Sequence, residues 1–265
     1  MKKILITYAT AGEGHKRAAL AVKEAFAAAE GAAGIEVKTI DVLDYTNGFF
    51  KWFYPSAYIF VVSRLPHVWG FFYYVLDLRW LYPLVKLVRR AANRSNTAVF
   101  EEFLREYDPD VVVTTHFLAS EVISSLKRRN RIKARLVTCV TDFRMHSFWF
   151  SDRTDYYCVG FSQTRDDLVK KWGVPPRIIN ISGIPINKKF YIVKNKSGLC
   201  GKLNLSAGLF TVLITGGGFG VGPITSLVKS LAHAGIRLQL LVVCGHNEKL
   251  KKRIDKLSLL SVGTE

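Results

Sequence analysis

The 265-residue sequence predicts an α/β fold with two Rossmann-like halves. Three observations predict it. Strand and helix patterns alternate along the chain, each half opens with a strand that enters a glycine-bearing turn, and a polar segment separates the halves. Apolar residues make up 49% of the chain, which is enough for a sizeable core.

The first half, residues 1–186, shows the alternation most clearly. Strands are predicted over 3–8, 35–40, 110–114, 135–141, 156–160 and 178–182, and helices over 15–29, 118–129 and 163–172. Strands that alternate with helices indicate a parallel, doubly wound sheet. The amino terminus lacks the long apolar region of a secretory signal, so it is assigned to the first strand.

Residues 49–82 interrupt this alternation and carry fourteen of the 33 Phe, Tyr and Trp residues of the chain. The longest uncharged run, 52–63, is shorter than the roughly 20 residues of a membrane span. Aromatic rings favour the bilayer interface and basic residues attract anionic lipid. The basic residues that follow the run are Arg79, Lys86, Arg89, Arg90 and Arg94. We expect an interfacial, membrane-associating segment over 49–90; a buried helical hairpin is the alternative.

The net charge of +17 indicates an anionic partner, for which nucleic acid, anionic lipid and a sugar nucleotide all qualify. The basic run 127–135 is either a solvated turn or a contact with anionic membrane or phosphate. Nucleic acid is disfavoured because no nucleic-acid-binding motif is present and the aromatic residues cluster with aliphatic ones. The four cysteines lack metal-binding spacing and are predicted to be reduced core residues of a cytosolic protein.

The second half, residues 187–265, begins with a polar linker over 187–208. Strands are then predicted over 210–215 and 238–243, and helices over 223–234 and 247–258. A complete half needs roughly 100 residues or more, so this half is expected to be incomplete.

The first glycine turn, 11–15, ends in His15 at the start of a helix. A histidine has an ordinary pKa near 6.5, and the helix dipole favours its neutral form, so His15 is a candidate general base. The alternative is a histidine that only bonds to backbone. The turn lacks the GxGxxG spacing, and Asp41 is the one acidic residue near a second-strand tip, so NAD is a poor fit.

The second glycine turn, 216–222, follows the strand 210–215 and has five glycines in seven residues. Without side chains, the amides of Gly216, Gly217, Gly218 and Gly220 could approach a pyrophosphate. The alternative is a tight turn with no ligand.

Five motifs occur in order: AGEGHKRAALAV (11–22), CVTDFRMHSFWF (139–150), GIPINKKF (183–190), LITGGGFGVGP (213–223) and VVCGHNEKL (242–250). Together they resemble the monogalactosyldiacylglycerol synthase and processive diacylglycerol glucosyltransferase group of glycosyltransferase family 28. The resemblance implies a GT-B fold. Residues 1–186 would bind the lipid acceptor and 187–265 would form part of the domain that binds a UDP-sugar.

By resemblance, His15 matches the base that deprotonates the free hydroxyl of diacylglycerol, which attacks the sugar with inversion. Asp142 would orient His15 or bond the hydroxyl, although it could equally cap its loop, as could His146. The residues assigned to acceptor binding are Gly14, His146 and Trp149, and those assigned to the donor are Gly216, Gly217, Gly218 and Gly220. No metal or other cofactor is expected.

The resemblance implies a peripheral protein on the cytoplasmic face of an anionic membrane, with UDP-galactose or UDP-glucose as donor. Ala11 and Glu13 replace glycines that are usual in the first turn of the family. The uracil pocket and the ribose-binding acidic residue of the family would follow residue 265, which leaves activity at this length open. The alternatives are a non-catalytic lipid-binding protein and a lipid-linked N-acetylglucosaminyltransferase.

Overall fold

The computed structural model describes residues 1–10, 12–29 and 34–261. The chain divides into two compact units, Met1–Phe190 and Tyr191–Glu265, which are considered separately. Ala11 and the side chain of Arg94, both named above, lie outside the described part.

The first unit is built on a six-stranded sheet in which every neighbouring pair is parallel, with the order β2-β1-β3-β4-β5-β6. Its strands are β1 (Lys2–Tyr8), β2 (Ile35–Asp41), β3 (Val111–Thr114), β4 (Arg135–Cys139), β5 (Tyr156–Val159) and β6 (Ile179–Ile181). Its helices are α1 (Glu13–Ala28), α2 (Gly48–Arg64), α3 (Pro66–Leu76), α4 (Tyr82–Asn96), α5 (Ala98–Tyr107), α6 (Phe117–Arg128) and α7 (Ser162–Trp172).

The central strands contain short continuous apolar runs, Ile4–Ile6 in β1 and Val111–Val113 in β3, as is typical of a parallel sheet covered on both faces. Leu5 points into a core formed with α5 and α6, which contains Phe100 and Val122. The next residue, Ile6, points to the opposite face and packs against Ala19 of α1. Alternate side chains of β1 therefore belong to different cores, as the period of a strand requires.

The turn between β1 and α1 is held by the end of β2. The Asp41 carboxylate accepts hydrogen bonds from the Thr10 amide at 3.3 Å and from the Thr10 hydroxyl. It also accepts from the Leu43 amide at 3.0 Å and so caps the short 3-10 helix Val42–Tyr45. Asp41 therefore fixes the loop that leads into the helix bearing His15.

The aromatic segment forms α2, α3 and part of α4. Within the stretch 48–76, all of which is described, no residue of α2 or α3 is buried. Trp52 is 67% exposed and Trp80, in the turn before α4, is 75% exposed. The segment is therefore not a fully buried hairpin.

Among the described residues, no single helix is long and apolar enough to cross a membrane. The pair α2 and α3 has the length and composition for one span, but the two helices are bent by 114° at their junction.

The second unit has a two-stranded parallel sheet and three helices within the described residues: α8 (Lys196–Lys202), β7 (Phe210–Thr215), α9 (Ile224–Ala232), β8 (Leu238–Val243) and α10 (Glu248–Ser261). Ile214, Ile224, Val228 and Leu250 form its core. The segment predicted as a linker contains α8, because the Asn195 side chain accepts from the Ser197 and Gly198 amides and starts a helix there.

The four cysteines are free thiols, with Cys139 and Cys200 buried and Cys158 and Cys244 partly buried. Cys139 and Cys158 are register partners on β4 and β5. Cys244 immediately follows β8.

Candidate functional site

The site forms where three neighbouring strands of the first unit end. Chain segments leave β1, β3 and β4 at the same edge, because adjacent strands in a parallel sheet finish on one side. His15 lies in the first turn of α1, while Thr115 and Thr141 follow β3 and β4. The topology therefore joins three residues that are distant in sequence.

The ring of His15 is held by two oxygens at one nitrogen. Its Nδ1 lies 2.8 Å from the Thr115 carbonyl oxygen and 2.8 Å from the Thr141 hydroxyl oxygen. A carbonyl can only accept, so Nδ1 carries the proton of the neutral ring and Nε2 carries the lone pair. None of the described residues hydrogen-bonds to Nε2.

The backbone of His15 is fixed by the same neighbour. The Thr115 hydroxyl donates to the His15 carbonyl at 2.8 Å and approaches the Thr7 carbonyl at 3.3 Å. Thr115 thus links the first turn of α1 to the end of β1, and its own carbonyl orients the imidazole. Thr115 therefore fixes both the backbone of His15 and the tautomer of its ring.

Burial lowers the pKa of His15, partly opposed by the charge of Asp142 and the hydrogen bond to Thr115. The imidazole is therefore neutral at physiological pH, in the state that can accept a proton. The edge of His116 meets its ring, with the centroids 4.6 Å apart. Burial lowers the pKa of His116 well below its ordinary value, so this neighbour is neutral as well.

His15 opens onto a cavity of about 480 Å³. α2 and α3 form one wall, and the start of α6 with the loop 142–149 forms another. The lining is mainly aromatic and aliphatic, and the charged side chains among its described residues are Asp142 and Arg89. An apolar cavity with a few polar groups fits an apolar ligand that carries a small polar group.

Asp142 lines this cavity but is bonded elsewhere. Its Oδ2 accepts from Trp149 Nε1 at 2.7 Å, whereas Nδ1 of His15 is engaged by Thr115 and Thr141. The first role suggested for Asp142 was to orient the His15 ring directly. Thr115 and Thr141 perform that role instead. Asp142 influences His15 through its charge.

His146 uses both ring nitrogens within the protein. Its Nε2 lies 2.9 Å from the Tyr73 carbonyl oxygen, and its Nδ1 accepts from the Phe148 amide at 3.2 Å. These bonds attach α3 to the loop and correspond to the capping alternative. Contact with a ligand would therefore use the face of the ring. Trp149 is fully buried and its ring lies 5.9 Å from that of His15.

Gly14 is exposed in the first turn of α1, and a Cβ there would contact nothing within 4 Å. Its position beside His15 leaves open space at the amino end of the helix. The packing of this chain thus does not require a glycine at this position.

Arg89 was expected to face anionic lipid, and the structure corrects this. The Arg89 side chain is 19% exposed, forms an ion pair with Glu121 and lines the cavity. The sequence offered no signal for this, because the partner is 32 positions away on α6. Thr115 and Thr141 were missed for a similar reason: each looks like an ordinary residue at a strand end.

Part of the basic run 127–135 is used structurally. Lys127 pairs with Asp155 and donates to the Ala134 carbonyl at 2.9 Å, and Arg128 pairs with Asp152. These two cations tie the end of α6 to the strands beside it. The remaining basic residues of the run are partly or fully exposed.

The second glycine turn lies between β7 and α9 in the second unit. A Cβ on Gly216 would come 2.6 Å from the Val221 carbonyl oxygen, and one on Gly220 would clash with the Cys244 carbonyl oxygen. Packing within the turn therefore explains these two glycines. Gly217 has φ +67° in open space, and the Gly218 carbonyl accepts from the His246 amide at 2.7 Å.

The chain is similar to proteins of one glycosyltransferase family. A profile of the monogalactosyldiacylglycerol (MGDG) synthase family matches residues 15–186. The chloroplastic monogalactosyldiacylglycerol synthase of Spinacia oleracea is 29% identical over 276 residues, which cover 97% of this chain and 50% of the relative. The chain therefore spans about half the length of such plant relatives.

A bacterial relative is named for a different activity. The processive diacylglycerol β-glucosyltransferase of Staphylococcus epidermidis is 29% identical over 147 residues, covering 55% of this chain and 37% of the relative. Among solved structures, S. aureus MnaA in complex with UDP superposes with a TM-score of 0.54 at 14% identity, covering 97% of this chain and 65% of that one. The fold class predicted from the sequence, α/β with Rossmann-like units of GT-B type, is confirmed.

Proposed function

Because the chain belongs to the monogalactosyldiacylglycerol synthase family, we propose that it is a glycosyltransferase that acts on diacylglycerol. The reaction moves galactose or glucose from a UDP-sugar to the free hydroxyl of 1,2-diacylglycerol and inverts the anomeric configuration. The product is a membrane glycolipid. Relatives named for a galactosyl and a glucosyl product both match, so either hexose is consistent with the comparison.

One observation carries the proposal: the neutral imidazole of His15 presents its unprotonated nitrogen beside an apolar cavity. The Thr115 carbonyl keeps the proton on Nδ1, so Nε2 is the nitrogen that can accept one. Diacylglycerol has the matching chemistry, since it is apolar apart from its ester groups and one hydroxyl. A nucleic acid or a polar sugar acceptor would not suit this lining.

In the proposed step, the hydroxyl oxygen of diacylglycerol forms a bond to the anomeric carbon of the sugar. The bond from that carbon to the diphosphate oxygen breaks, and UDP leaves with the electron pair. The hydroxyl proton passes to Nε2 of His15, which becomes an imidazolium stabilised by the charge of Asp142. Thr115 and Thr141 hold the ring during this transfer.

Donor binding is assigned to the half predicted from the sequence over residues 187–265, which contains the second unit, Tyr191–Glu265. The glycine turn between β7 and α9 has the position that binds phosphate in Rossmann-like units. Gly217 and Gly218 are the stronger candidates there, because Gly216 and Gly220 are already explained by packing. Their amides would stabilise the leaving diphosphate.

Membrane association is proposed for the exposed aromatic surface of α2, α3 and the turn before α4. One side of this segment is exposed, while Tyr54 and Trp69 of the same helices line the cavity that contains His15. A peripheral protein docked by this surface would have its cavity next to the bilayer that supplies diacylglycerol. The cytoplasmic face is proposed because the donor class, a UDP-sugar, is cytoplasmic.

The test uses the full chain with phosphatidylcholine vesicles that contain phosphatidylglycerol and diacylglycerol. Labelled UDP-galactose and labelled UDP-glucose are supplied in separate assays, and lipid-soluble label is measured. We expect labelled glycolipid with one donor and its loss in His15→Ala. His233→Ala, a histidine exposed on the second unit, is the matched control and should retain activity.

Two outcomes would contradict the proposal. Full activity in His15→Ala would remove the assigned base. Vesicle binding without transfer from either donor would favour the alternative of a non-catalytic lipid-binding protein.

A further inference from the structure

A charged arginine enters the wall of a largely apolar cavity in the first unit. The guanidinium of Arg89 lies 4.6 Å from the ring centroid of Phe148 and 5.6 Å from that of Phe117, and Arg89 lines the cavity together with both rings. Removing a cation from water is costly unless it is paired. Contact with a membrane surface does not require a position in the cavity wall. The position of Arg89 is better explained by a role inside the cavity.

Glu121 neutralises the charge of this arginine. Its carboxylate pairs with Nη2 of Arg89, and its own side chain is only 11% exposed. The pair is neutral overall, so it does not call for a second full anion such as a phosphate. A guanidinium has five N–H donors in a fixed plane, and one carboxylate oxygen does not use them all. The remaining donors suit a neutral oxygen acceptor.

The plane of the guanidinium is fixed by its neighbours. The guanidinium lies over the Phe148 ring in a cation–π contact, and its Nη2 is held by the ion pair with Glu121. The Phe148 ring is itself packed between two other rings, with its centroid 4.2 Å from that of His146 and 5.3 Å from that of Phe117. Donors held in this way discriminate between ligands better than mobile ones.

Two aromatic rings in contact, those of His116 and Phe117, connect Arg89 to His15. The ring of His116 lies 4.6 Å from that of His15 and 4.2 Å from that of Phe117, over which Arg89 lies. Because His15 and Arg89 line the same cavity, a lipid alcohol with its hydroxyl at His15 would extend its neighbouring groups into the space that Arg89 also lines. In diacylglycerol these groups are the ester carbonyls.

We propose that Arg89 is a specificity-determining residue that donates a hydrogen bond to an ester carbonyl oxygen of the lipid acceptor. This inference rests on the proposed function, since it takes His15 as the residue that receives the acceptor hydroxyl. The site thereby selects diacyl esters of glycerol over dialkyl ethers, which have the same length and shape but lack the carbonyl. A site built to hydrogen-bond a ligand rejects an analogue that leaves its buried polar group unpaired.

The test measures binding, so it does not depend on donor chemistry. Trp69 and Trp149 line the cavity, so intrinsic tryptophan fluorescence of the full chain reports occupancy. Dioctanoylglycerol is titrated against its dioctyl ether analogue. For the unmodified protein we expect the ester to bind at least about tenfold more tightly, the factor that a free-energy difference of about 1.4 kcal/mol gives.

Arg89→Lys keeps the charge beside Glu121 but loses the planar donor fork. We expect the ester-to-ether ratio to fall to about two while ether affinity stays within about twofold, since only the carbonyl contact is lost. Arg90→Lys is the matched control, because Arg90 is the next residue on α4 and does not line this cavity, and its ratio should be unchanged. Thermal melts of both variants check folding.

The ratio in the unmodified protein is informative even if Arg89→Lys does not fold. A ratio near one would overturn the assignment of Arg89, as would an unchanged ratio in a folded Arg89→Lys. Absence of sugar transfer alongside a normal ester preference would instead refute the proposed transferase and leave the selection of esters standing.

Discussion

The hydroxyl of Thr141 lies 2.8 Å from Nδ1 of His15, although 126 positions separate the two residues in the chain. Together with the Thr115 carbonyl, it gives the Nδ1–H group two oxygen acceptors. The imidazole is thus oriented by uncharged groups, and the carboxylate whose charge acts on it, that of Asp142, is bonded to Trp149. This arrangement makes the basicity of Nε2 depend on threonines rather than on a direct ion pair.

Thr141→Val should lower transferase activity about fivefold to tenfold. Valine has the same shape but removes one acceptor from Nδ1–H, a loss of about 1 kcal/mol in the hydrogen bonds that orient the ring. Thr141→Ser keeps the hydroxyl and should retain most of the activity. The measurement is kcat/KM with diacylglycerol vesicles, and equal losses in the valine and serine variants would speak against orientation by the hydroxyl.

The pH profile of kcat/KM should have its acid limb below pH 6.5. Burial lowers the pKa of His15 from that value, so the base remains unprotonated through neutral pH and loses activity only on acidification. Asp142→Asn removes a charge that raises the pKa of His15, while it keeps an oxygen for Trp149 Nε1.

The acid limb of Asp142→Asn should therefore move to lower pH. The comparison needs only relative rates across the pH range for the two proteins. A limb that moves to higher pH in the variant would contradict the electrostatic role of Asp142.

The free energy of unfolding should decrease on acidification, and His116 should account for part of the decrease. Burial lowers the pKa of His116 well below 6.5 in the folded state, whereas the unfolded chain has the ordinary value. Below that ordinary value the unfolded state binds a proton that the native state does not. Stability is therefore present above about pH 6.5 and is lost as the pH falls.

His116→Asn isolates this contribution. Asparagine can still accept from the Leu118 amide at the start of α6, so the cap is retained while the titrating group is removed. Urea unfolding is measured at a series of pH values. The free energy of unfolding of the variant should fall less steeply on acidification, with a slope smaller by up to about 1.4 kcal/mol per pH unit. If the free energy of unfolding falls equally steeply with pH in both proteins, the loss of stability in acid belongs to groups other than His116.

The sequence predicted the strands and helices well, but it predicted few of the side-chain contacts at the site. Both strands of the second unit, Phe210–Thr215 and Leu238–Val243, have the predicted bounds, because apolar strands flanked by polar or glycine turns have sharp limits. His15 was identifiable because a histidine after a glycine turn is unusual. Thr115, Thr141 and Arg89 were not, since their roles depend on which strands are neighbours and on a partner across the fold.

Alanine at Gly216 or Gly220 should destabilise the second unit by about 2 kcal/mol or more. A Cβ at either position would overlap backbone atoms, of Val221 and Cys244 respectively, and backbone cannot move aside cheaply. Hydrogen exchange of the β7 and β8 amides reports this local stability. Gly198→Ala is the control, because a Cβ there meets nothing within 4 Å and the residue is helical.

The glycine result also bears on donor binding. Loss of UDP binding in Gly216→Ala with normal amide protection would mean that the glycine serves the ligand directly. Loss of both together would mean that packing is the first requirement at this position.

Vesicle binding should depend on the exposed aromatic residues of the membrane-associating segment. Trp52→Ser removes a ring that is 67% exposed on α2, and we expect affinity for phosphatidylcholine vesicles containing phosphatidylglycerol to fall about fivefold to tenfold. Phe143→Ser is the matched control, because Phe143 is 73% exposed but lies outside the segment. The measurement is co-sedimentation at fixed ionic strength, since screening weakens the basic contribution. If the two variants lose affinity equally, binding is not localised to α2 and its neighbours, and the proposed route from the bilayer to the cavity loses its support.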